Sequence, residues 1–231
     1  MKRPELSLVV PCYNEGRNIE SVANGLASEF RRDGIDYELV LVDNGSRDNT
    51  RAVIEGLQKK NPRIKLAVVE RNIGYGWGII TGLKQANGIF VGYAWADNQV
   101  PVEKTAEIFK KLKEENLDLC KATRVKRHDG LRRKIESFGY NRMFKLMFRV
   151  EVSDINGCPK IMRRELYEKT DPKSKDWFID AEFILRASQL GKRIGEVPVV
   201  FNERKDGKSN VSFITVLEFL KNMVQYRFCR K

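Results

Sequence analysis

Residues 89–101 read Ile-Phe-Val-Gly-Tyr-Ala-Trp-Ala-Asp-Asn-Gln-Val-Pro, an apolar run that ends in Asp97, Asn98 and Gln99. The run has the length and composition of a buried strand. A strand that ends in such residues delivers oxygen ligands to the carboxyl edge of a sheet, where open α/β sheets bind their ligands. Hard cations such as Mg²⁺ and Mn²⁺ take oxygen donors and often share them with phosphates. The same residues also make an ordinary polar turn, because Asp and Asn hydrogen-bond their own backbone. The sequence on either side decides between the two.

Upstream, the theme repeats. Leu6 to Val10 is a continuous apolar run followed by the polar turn Pro11 to Gly16 and a helical pattern from Asn18 to about Phe30. Tyr37 to Val42 leads into Asp43-Asn44-Gly45-Ser46-Arg47-Asp48-Asn49-Thr50 and a second helix from Arg51 to about Lys60, with Ser46, Asp48 or Asn49 placed to cap it. Ile64 to Val69 is a third strand ending at Glu70-Arg71-Asn72, before a helix carrying Gly74, Gly76, Gly78 and Gly82. The strand ending at Asp97 is the fourth. Strands alternating with helices predict an α/β fold with a parallel sheet covered on both faces, its acidic strand ends gathered at one edge. Downstream the spacing predicts a helix over 102–114, a strand from Asp118 to Thr123 ending at Arg124, basic amphipathic segments over 131–150 and 213–228, and a late strand over 194–201.

Composition bounds the partners. With 231 residues the chain holds one domain, or one domain and an appendage, and 42% hydrophobic with 32% charged residues is a globular rather than a disordered balance. A net charge of +12 asks for a polyanionic partner: nucleic acid, an anionic membrane surface or a phosphorylated substrate. Four scattered cysteines (Cys12, Cys120, Cys158, Cys229) and the single His128 argue against a zinc site and for reduced thiols in a cytoplasmic setting. No signal peptide is evident, and no uninterrupted apolar segment reaches the roughly 20 residues that a membrane span needs.

In their order, the motifs V-V-P-C-Y-N-E, L-V-D-N-G-S-R-D-N-T, R-N-I-G-Y-G-W-G, A-D-N-Q-V-P and R-K-D-G-K-S-N resemble those of the family 2 glycosyltransferases with the GT-A fold. Within that family they look most like the dolichyl- or polyprenyl-phosphate sugar synthases. The resemblance runs from Ser7 to about Ser212 and implies a Rossmann-like, mostly parallel sheet. It implies that Pro11 and Tyr13 contact the nucleobase, Glu15 the ribose and Asp43 the base edge, while Arg71 touches base or phosphate. Asp97 and Gln99 match the metal-binding Asp-x-Asp-x-Gln and would hold Mg²⁺ or Mn²⁺ with the donor phosphates. The first acid of that motif is Trp95 here, a departure that bears on donor identity and metal affinity. An indole at a polar strand end needs something to pack on, and stacking on the sugar or base is the expectation.

The acceptor follows the same resemblance. Arg124, Arg133 with Ser137, and Arg204 match positions that bind acceptor and donor phosphates, work suited to arginine's planar fork. Lys160 stands at the basic end of Asp154-Ile155-Asn156-Gly157-Cys158-Pro159-Lys160, of which Asp154 and Gly157 match the family. The expected reaction is inverting transfer of a hexose from GDP-mannose or a UDP-sugar to a polyprenyl or dolichyl phosphate, for which no general base is required. A hydroxyl acceptor would need one, and Asp180 or Glu182 in F-I-D-A-E-F is the candidate. The resemblance implies a catalytic domain over residues 1–210, and a composition shift near Gly207 to Asn210 is the candidate boundary to an expected amphipathic helix over 211–231. The two basic helices suit an anionic interface. Hence the chain is expected to be peripheral on the cytoplasmic face of a membrane, with an integral-membrane partner as an option. A non-catalytic relative, its metal site damaged at Trp95, is the lesser alternative. A nucleic-acid module is another, set aside because strand-end carboxylates repel phosphate when no metal is present.

Overall fold

The computed structural model describes residues 3–127, 131–202 and 213–228. Four β/α units open the chain: β1 (Leu6–Cys12), α1 (Ile19–Arg32), β2 (Tyr37–Asn44), α2 (Thr50–Lys60), β3 (Ile64–Val69), α3 (Tyr75–Gln85), β4 (Phe90–Tyr93) and α4 (Val102–Glu114). There follow β5 (Leu119–Arg127), α5 (Leu131–Phe148), β6 (Lys160–Arg163), α6 (Arg164–Thr170), α7 (Ile179–Gln189), β7 (Ile194–Phe201) and α8 (Phe213–Phe228). The strands form one seven-stranded sheet in the order β3-β2-β1-β4-β6-β5-β7. All pairings are parallel except the two made by β6, which runs antiparallel to both β4 and β5. This is the α/β, mostly parallel sheet that the sequence predicts.

Alternation along the central strands builds two cores. Leu6, Leu8 and Val10 of β1 and Leu39 and Leu41 of β2 face α1, α2 and α4. Val9, Val40 and Val42 face the opposite layer, where Ile79, Ile80 and Leu83 of α3 meet Phe144 of α5, Ile179 and Phe183 of α7, and Met223 and Tyr226 of α8. Both basic helices therefore pack on the domain: Phe148 of α5 and Phe178 each contact the Tyr226 ring of α8, at 6.2 and 5.6 Å. No helix among the described residues is long and apolar enough to cross a membrane.

Three differences from the sequence reading have physical causes. β4 stops at Tyr93 instead of running to Asp97; the Ala94 N–H still reaches Val9 O at 2.9 Å, and then the chain leaves the sheet. It turns because the Asp97 carboxylate accepts the Gln99 N–H at 3.1 Å while Asn98 adopts a left-handed φ of 56°. β5 runs through Arg124 to Arg127 because β7 pairs along its whole length. β6 and α7 escaped detection: β6 has four residues, and α7 is buried from Ile179 to Leu185, so it carries no amphipathic stripe. The boundary placed near 207–210 lies outside the described residues.

α3 lies close on the sheet because Gly82 faces it. A Cβ there would sit 2.3 Å from Val9 Cγ1 and 2.8 Å from Val42 Cγ2. Gly82→Ala is therefore expected to destabilise the fold by about 1–3 kcal/mol despite alanine's better helix propensity, read as a lower urea midpoint.

Candidate active site

The carboxyl ends of β1, β2, β3 and β4 share one edge, and the turns leaving them are laced together. Asn14 N–H donates to Ser46 Oγ at 3.1 Å, Glu15 N–H to Thr50 Oγ1 at 2.9 Å and Gly16 N–H to Asp48 Oδ2 at 3.1 Å. In return Arg47 N–H donates to Asn14 Oδ1 at 2.8 Å. Asp48 also accepts the Thr50 N–H at 3.0 Å, so it supplies the cap of α2 that Asn49 does not. This lacing sets half-buried Pro11, Tyr13 and Glu15 beside buried Asp43, whose Oδ1 accepts the Ser46 N–H at 3.0 Å. Gly45 (φ +73°) brings that turn against Arg71 and Asn72: a Cβ on it would lie 2.5 Å from Asn72 N. Arg71 is exposed at the same edge.

Beyond β4 the chain places Trp95 and Asp97 two residues apart. The half-buried indole donates from Nε1 to Tyr75 Oη at 2.7 Å and meets the Phe201 ring edge-on at 5.5 Å. Tyr75 stacks on Trp177 at 4.3 Å, so Trp177, Tyr75, Trp95 and Phe201 form a continuous aromatic strip from α7's approach to the end of β7. Burial, reinforced by Asp180, pushes the Tyr75 phenol well up, so its hydroxyl stays protonated. Trp95 thus satisfies its polar handle inside the protein. Asp97 is 9% exposed. Gln99 Nε2 donates to Asn202 O at 3.1 Å, while Asn202 N–H donates to Gln99 O at 2.9 Å, which couples the Asp97 loop to the end of β7.

Several expected phosphate or base residues turn out to be engaged elsewhere. The Arg124 fork closes on Asp154, Nε to Oδ2 at 2.6 Å and Nη2 to Oδ1 at 2.7 Å. Burial raises the Asp154 carboxyl, but Arg124 outweighs it and holds the group well below the ordinary range. Arg124 is therefore a braced cation rather than an open fork. Lys160, read as a basic end, is fully buried, donating to Gly157 O at 2.7 Å and ion-paired with Asp180. Asp180, 2% exposed, also accepts the Tyr93 hydroxyl at 2.7 Å. Glu182 is fully buried and accepts the Lys173 and Ser174 N–H groups at 3.0 and 2.7 Å. Neither acid of F-I-D-A-E-F is thus placed as an open general base. Arg133 and Ser137 fall in the first half of α5, where side chains lie outside the described residues, and Arg204 lies outside them altogether.

The edge thus brings Pro11, Tyr13, Glu15, Asp43, Arg71, Trp95, Asp97 and Gln99 to one side of the sheet. Sequence reasoning missed Tyr75, Tyr93 and Trp177. Tyr75 sits in the glycine-rich helix start, where the glycines drew attention; Trp177 precedes a helix whose pattern gave no period. For a divalent cation the hard donors are the Asp97 carboxylate and the Gln99 amide oxygen, a set of the right chemistry for Mg²⁺ or Mn²⁺.

The sequence model of Glycosyl transferase family 2 matches residues 7–171. Among solved structures, the fold is similar to glucosyl-3-phosphoglycerate synthase from Mycobacterium tuberculosis in complex with Mn²⁺, UDP and phosphoglyceric acid. That match has a TM-score of 0.76 and 18% identity, covering 97% of this chain and 78% of that one. A complex of the same synthase with Mg²⁺ and UDP matches with a TM-score of 0.75 and 17% identity, covering 97% and 79%. S. aureus TarS 1–349 in complex with UDP-GlcNAc matches with a TM-score of 0.63 and 21% identity, covering 97% and 67%. At these identities the likeness is one of fold.

Two substitutions check the electrostatics. Asp180→Ala strands the buried Lys160 ammonium and is expected to cost about 3–5 kcal/mol, measured by urea unfolding. At Glu196, burial works to raise the carboxyl, but Lys121, then hydrogen bonds from Lys121, Thr123 and Ser153, pull it from 4.5 down to about 2. A folded-state value below the unfolded one contributes stability above the unfolded value and loses it as pH falls through the folded one. Glu196→Gln should therefore be less stable than wild type at neutral pH. The difference between their urea midpoints should close between about pH 4.5 and about pH 2.

Proposed function

Because the chain belongs to glycosyl transferase family 2, we propose that it is an inverting hexosyltransferase whose acceptor is a polyprenyl or dolichyl phosphate. The donor in this reading is GDP-mannose or a UDP-sugar, with Mg²⁺ or Mn²⁺ assisting. The observation that carries the acceptor assignment is the burial of Asp180 and Glu182. The two acids that the sequence offers for activating a hydroxyl are engaged inside the protein. A phosphate acceptor is already an anion and needs no such base.

In this reading Pro11 and Tyr13 form the wall against the base, Asp43 reads its edge and Glu15 accepts the ribose hydroxyls. The laced turns hold these four groups in place before the ligand arrives, which reduces the ordering cost of binding. Arg71 meets the phosphates at the open side. A bound divalent cation would be held by Asp97 and Gln99 and would neutralise charge on the departing diphosphate. An acceptor phosphate oxygen attacks the anomeric carbon as the bond to the diphosphate breaks. The nucleoside diphosphate leaves from the opposite face, and the anomeric configuration inverts. Arg124, its charge balanced by Asp154, does not fork onto a phosphate, which leaves acceptor contacts to Arg133 and Ser137 and the donor side to Arg204.

For the membrane face, the support is apolar surface between basic residues. Leu146 of α5 is 73% exposed and Phe228 of α8 71% exposed, with Arg142, Arg149 and Arg227 exposed on the same helices or at their ends. Such a surface suits peripheral attachment at an anionic cytoplasmic leaflet, with an integral-membrane partner as a further anchor. A second reading, transfer to an acceptor hydroxyl, draws support from the mycobacterial synthase of similar fold in complex with phosphoglyceric acid.

The test is transfer of label from a panel of GDP- and UDP-sugars to a short polyprenyl phosphate, with Mg²⁺, with Mn²⁺ and with EDTA. The expected result is metal-dependent label in the lipid phase, cut at least about 100-fold by Asp97→Ala, since cation stabilisation of the leaving group is worth several kcal/mol. Label found only in soluble phosphorylated or glycan products would instead establish the hydroxyl acceptor.

A further inference from the structure

Away from the strand ends described above, a cavity of about 340 Å³ opens between α3, α6 and the segment 171–175, and none of the residues gathered at the donor edge lines it. Trp77, Ile80 and Lys84 reach it from one face of α3, three and four residues apart. With buried Pro172, Trp77 and Ile80 give it an apolar floor. Its charges are unevenly matched. Glu168 faces Arg164 at 4.0 Å, and Asp171 pairs with Lys173 at 2.6 Å. The ammonium groups of Lys84 and Lys175 instead lie over the indole of Trp77, 5.6 and 5.0 Å from its centroid, and neither meets a carboxylate among the described residues. Tyr167 adds a hydroxyl that has no hydrogen-bond partner among the described residues. Burial pushes that phenol up, against Arg164 and with help from Asp171 and Glu168, so it stays a neutral donor.

We propose that this cavity binds an organic phosphate monoester at a site separate from the donor edge, with Lys84 and Lys175 holding the phosphate and Tyr167 donating to it. Three features select that chemistry. Two ammoniums drawn to one ring repel each other, and an anion shared by both removes the repulsion. A phosphate monoester carries about −1.5 to −2 at neutral pH on three acceptor oxygens, which answers two cations and a hydroxyl. A carboxylate would leave one cation unmatched. The volume is that of a small-molecule site, and Trp77, Ile80 and Pro172 offer apolar contact to the organic body. The wall is also connected to the rest of the protein. Trp77 N–H donates to Lys175 O at 3.0 Å, and the same segment ends in Trp177, whose ring stacks on Tyr75 at 4.3 Å. A ligand held by Lys175 therefore steadies the segment behind the aromatic strip. The site stands on these residues alone and does not depend on the nucleotide-sugar reading.

The probe is phenyl phosphate, titrated by calorimetry into the full chain, with phenol as the neutral control. Phenyl phosphate should bind with a Kd of about 0.1–1 mM, and phenol should give no heat in that range. The double variant Lys84→Gln, Lys175→Gln should bind it at least about tenfold more weakly, because both charge-assisted hydrogen bonds are lost. Arg71→Gln, at the donor edge, should bind it as wild type does. Both lysines are exposed, so the double variant is expected to fold, which circular dichroism checks. NOEs from the phenyl protons to the Trp77 indole and the Ile80 methyls of the wild-type chain locate the ligand independently of any variant. Cosedimentation with phosphatidic acid vesicles that is lost in the double variant would make the source of the phosphate a lipid headgroup; vesicle binding that ignores the two lysines would make it a soluble ester. No heat with phenyl phosphate up to about 10 mM overturns the inference. So do equal affinity for phenol, equal affinity in the double variant, and NOEs confined to other residues.

Discussion

In the interior, the Lys160 ammonium and the Asp180 carboxylate meet with almost no access to water, and three elements depend on that meeting. Lys160 belongs to β6, Asp180 to α7, and the Tyr93 hydroxyl that completes the cluster to β4. Taking two charges out of water costs several kcal/mol each, so the pair adds little net stability over an apolar replacement. It does add specificity of arrangement, because any shift of α7 or β6 exposes an unpaired charge to a low-dielectric interior. The antiparallel strand that interrupts the parallel sheet is thereby keyed to one register. The segment 173–177 that precedes α7 is held against the start of α3, where Trp77 N–H reaches Lys175 O at 3.0 Å.

From that anchor the order propagates outward to the aromatic strip. Trp177 leads into α7 and stacks on Tyr75; Tyr75 receives the Trp95 indole; Trp95 packs on Phe201. Gly74 and Gly76 let the backbone of 174–176 approach α3, since a Cβ on either would lie 2.1 Å from Lys175 O or 2.3 Å from Ser174 O. The site wall is therefore built from the inside, by a buried charge pair and a close backbone approach, rather than by surface turns. The turns after β1 and β2 are built the other way, with side chains of one turn accepting backbone N–H groups of the next.

This difference explains what could be read in advance. The first four β/α units follow local rules: apolar runs of strand length, turns of Asp, Asn, Ser and Gly, and amphipathic helices. The strand over 64–69 and the helix over 102–114 come out at the positions the pattern predicts. Long-range pairing has no such signature. Nothing local to Lys160 tells that its charge is consumed by Asp180, or that the Arg124 fork lies on Asp154 thirty residues on. A basic residue read alone is a phosphate ligand as readily as half of an internal ion pair. Likewise Asp180 and Glu182, acids spaced on a short helix, look like exposed bases until the helix proves to be buried all round.

The indole at position 95, where the motif that this sequence resembles has its first acid, also changes the balance of charge at this edge. A nucleoside diphosphate approaching a ring of Glu15, Asp43, Asp97 and one further acid would be repelled by each until a cation intervened. With Trp95 in the fourth place, that repulsion is smaller and the surface offered to the ligand is partly apolar. The Tyr75 hydrogen bond satisfies the indole N–H inside the protein and leaves no polar demand at position 95. The departure at position 95 is thus built into the surrounding packing, through Tyr75, Trp177 and Phe201. Local packing and hydrogen bonding thus agree on an indole at this place, which argues against an edge that has decayed.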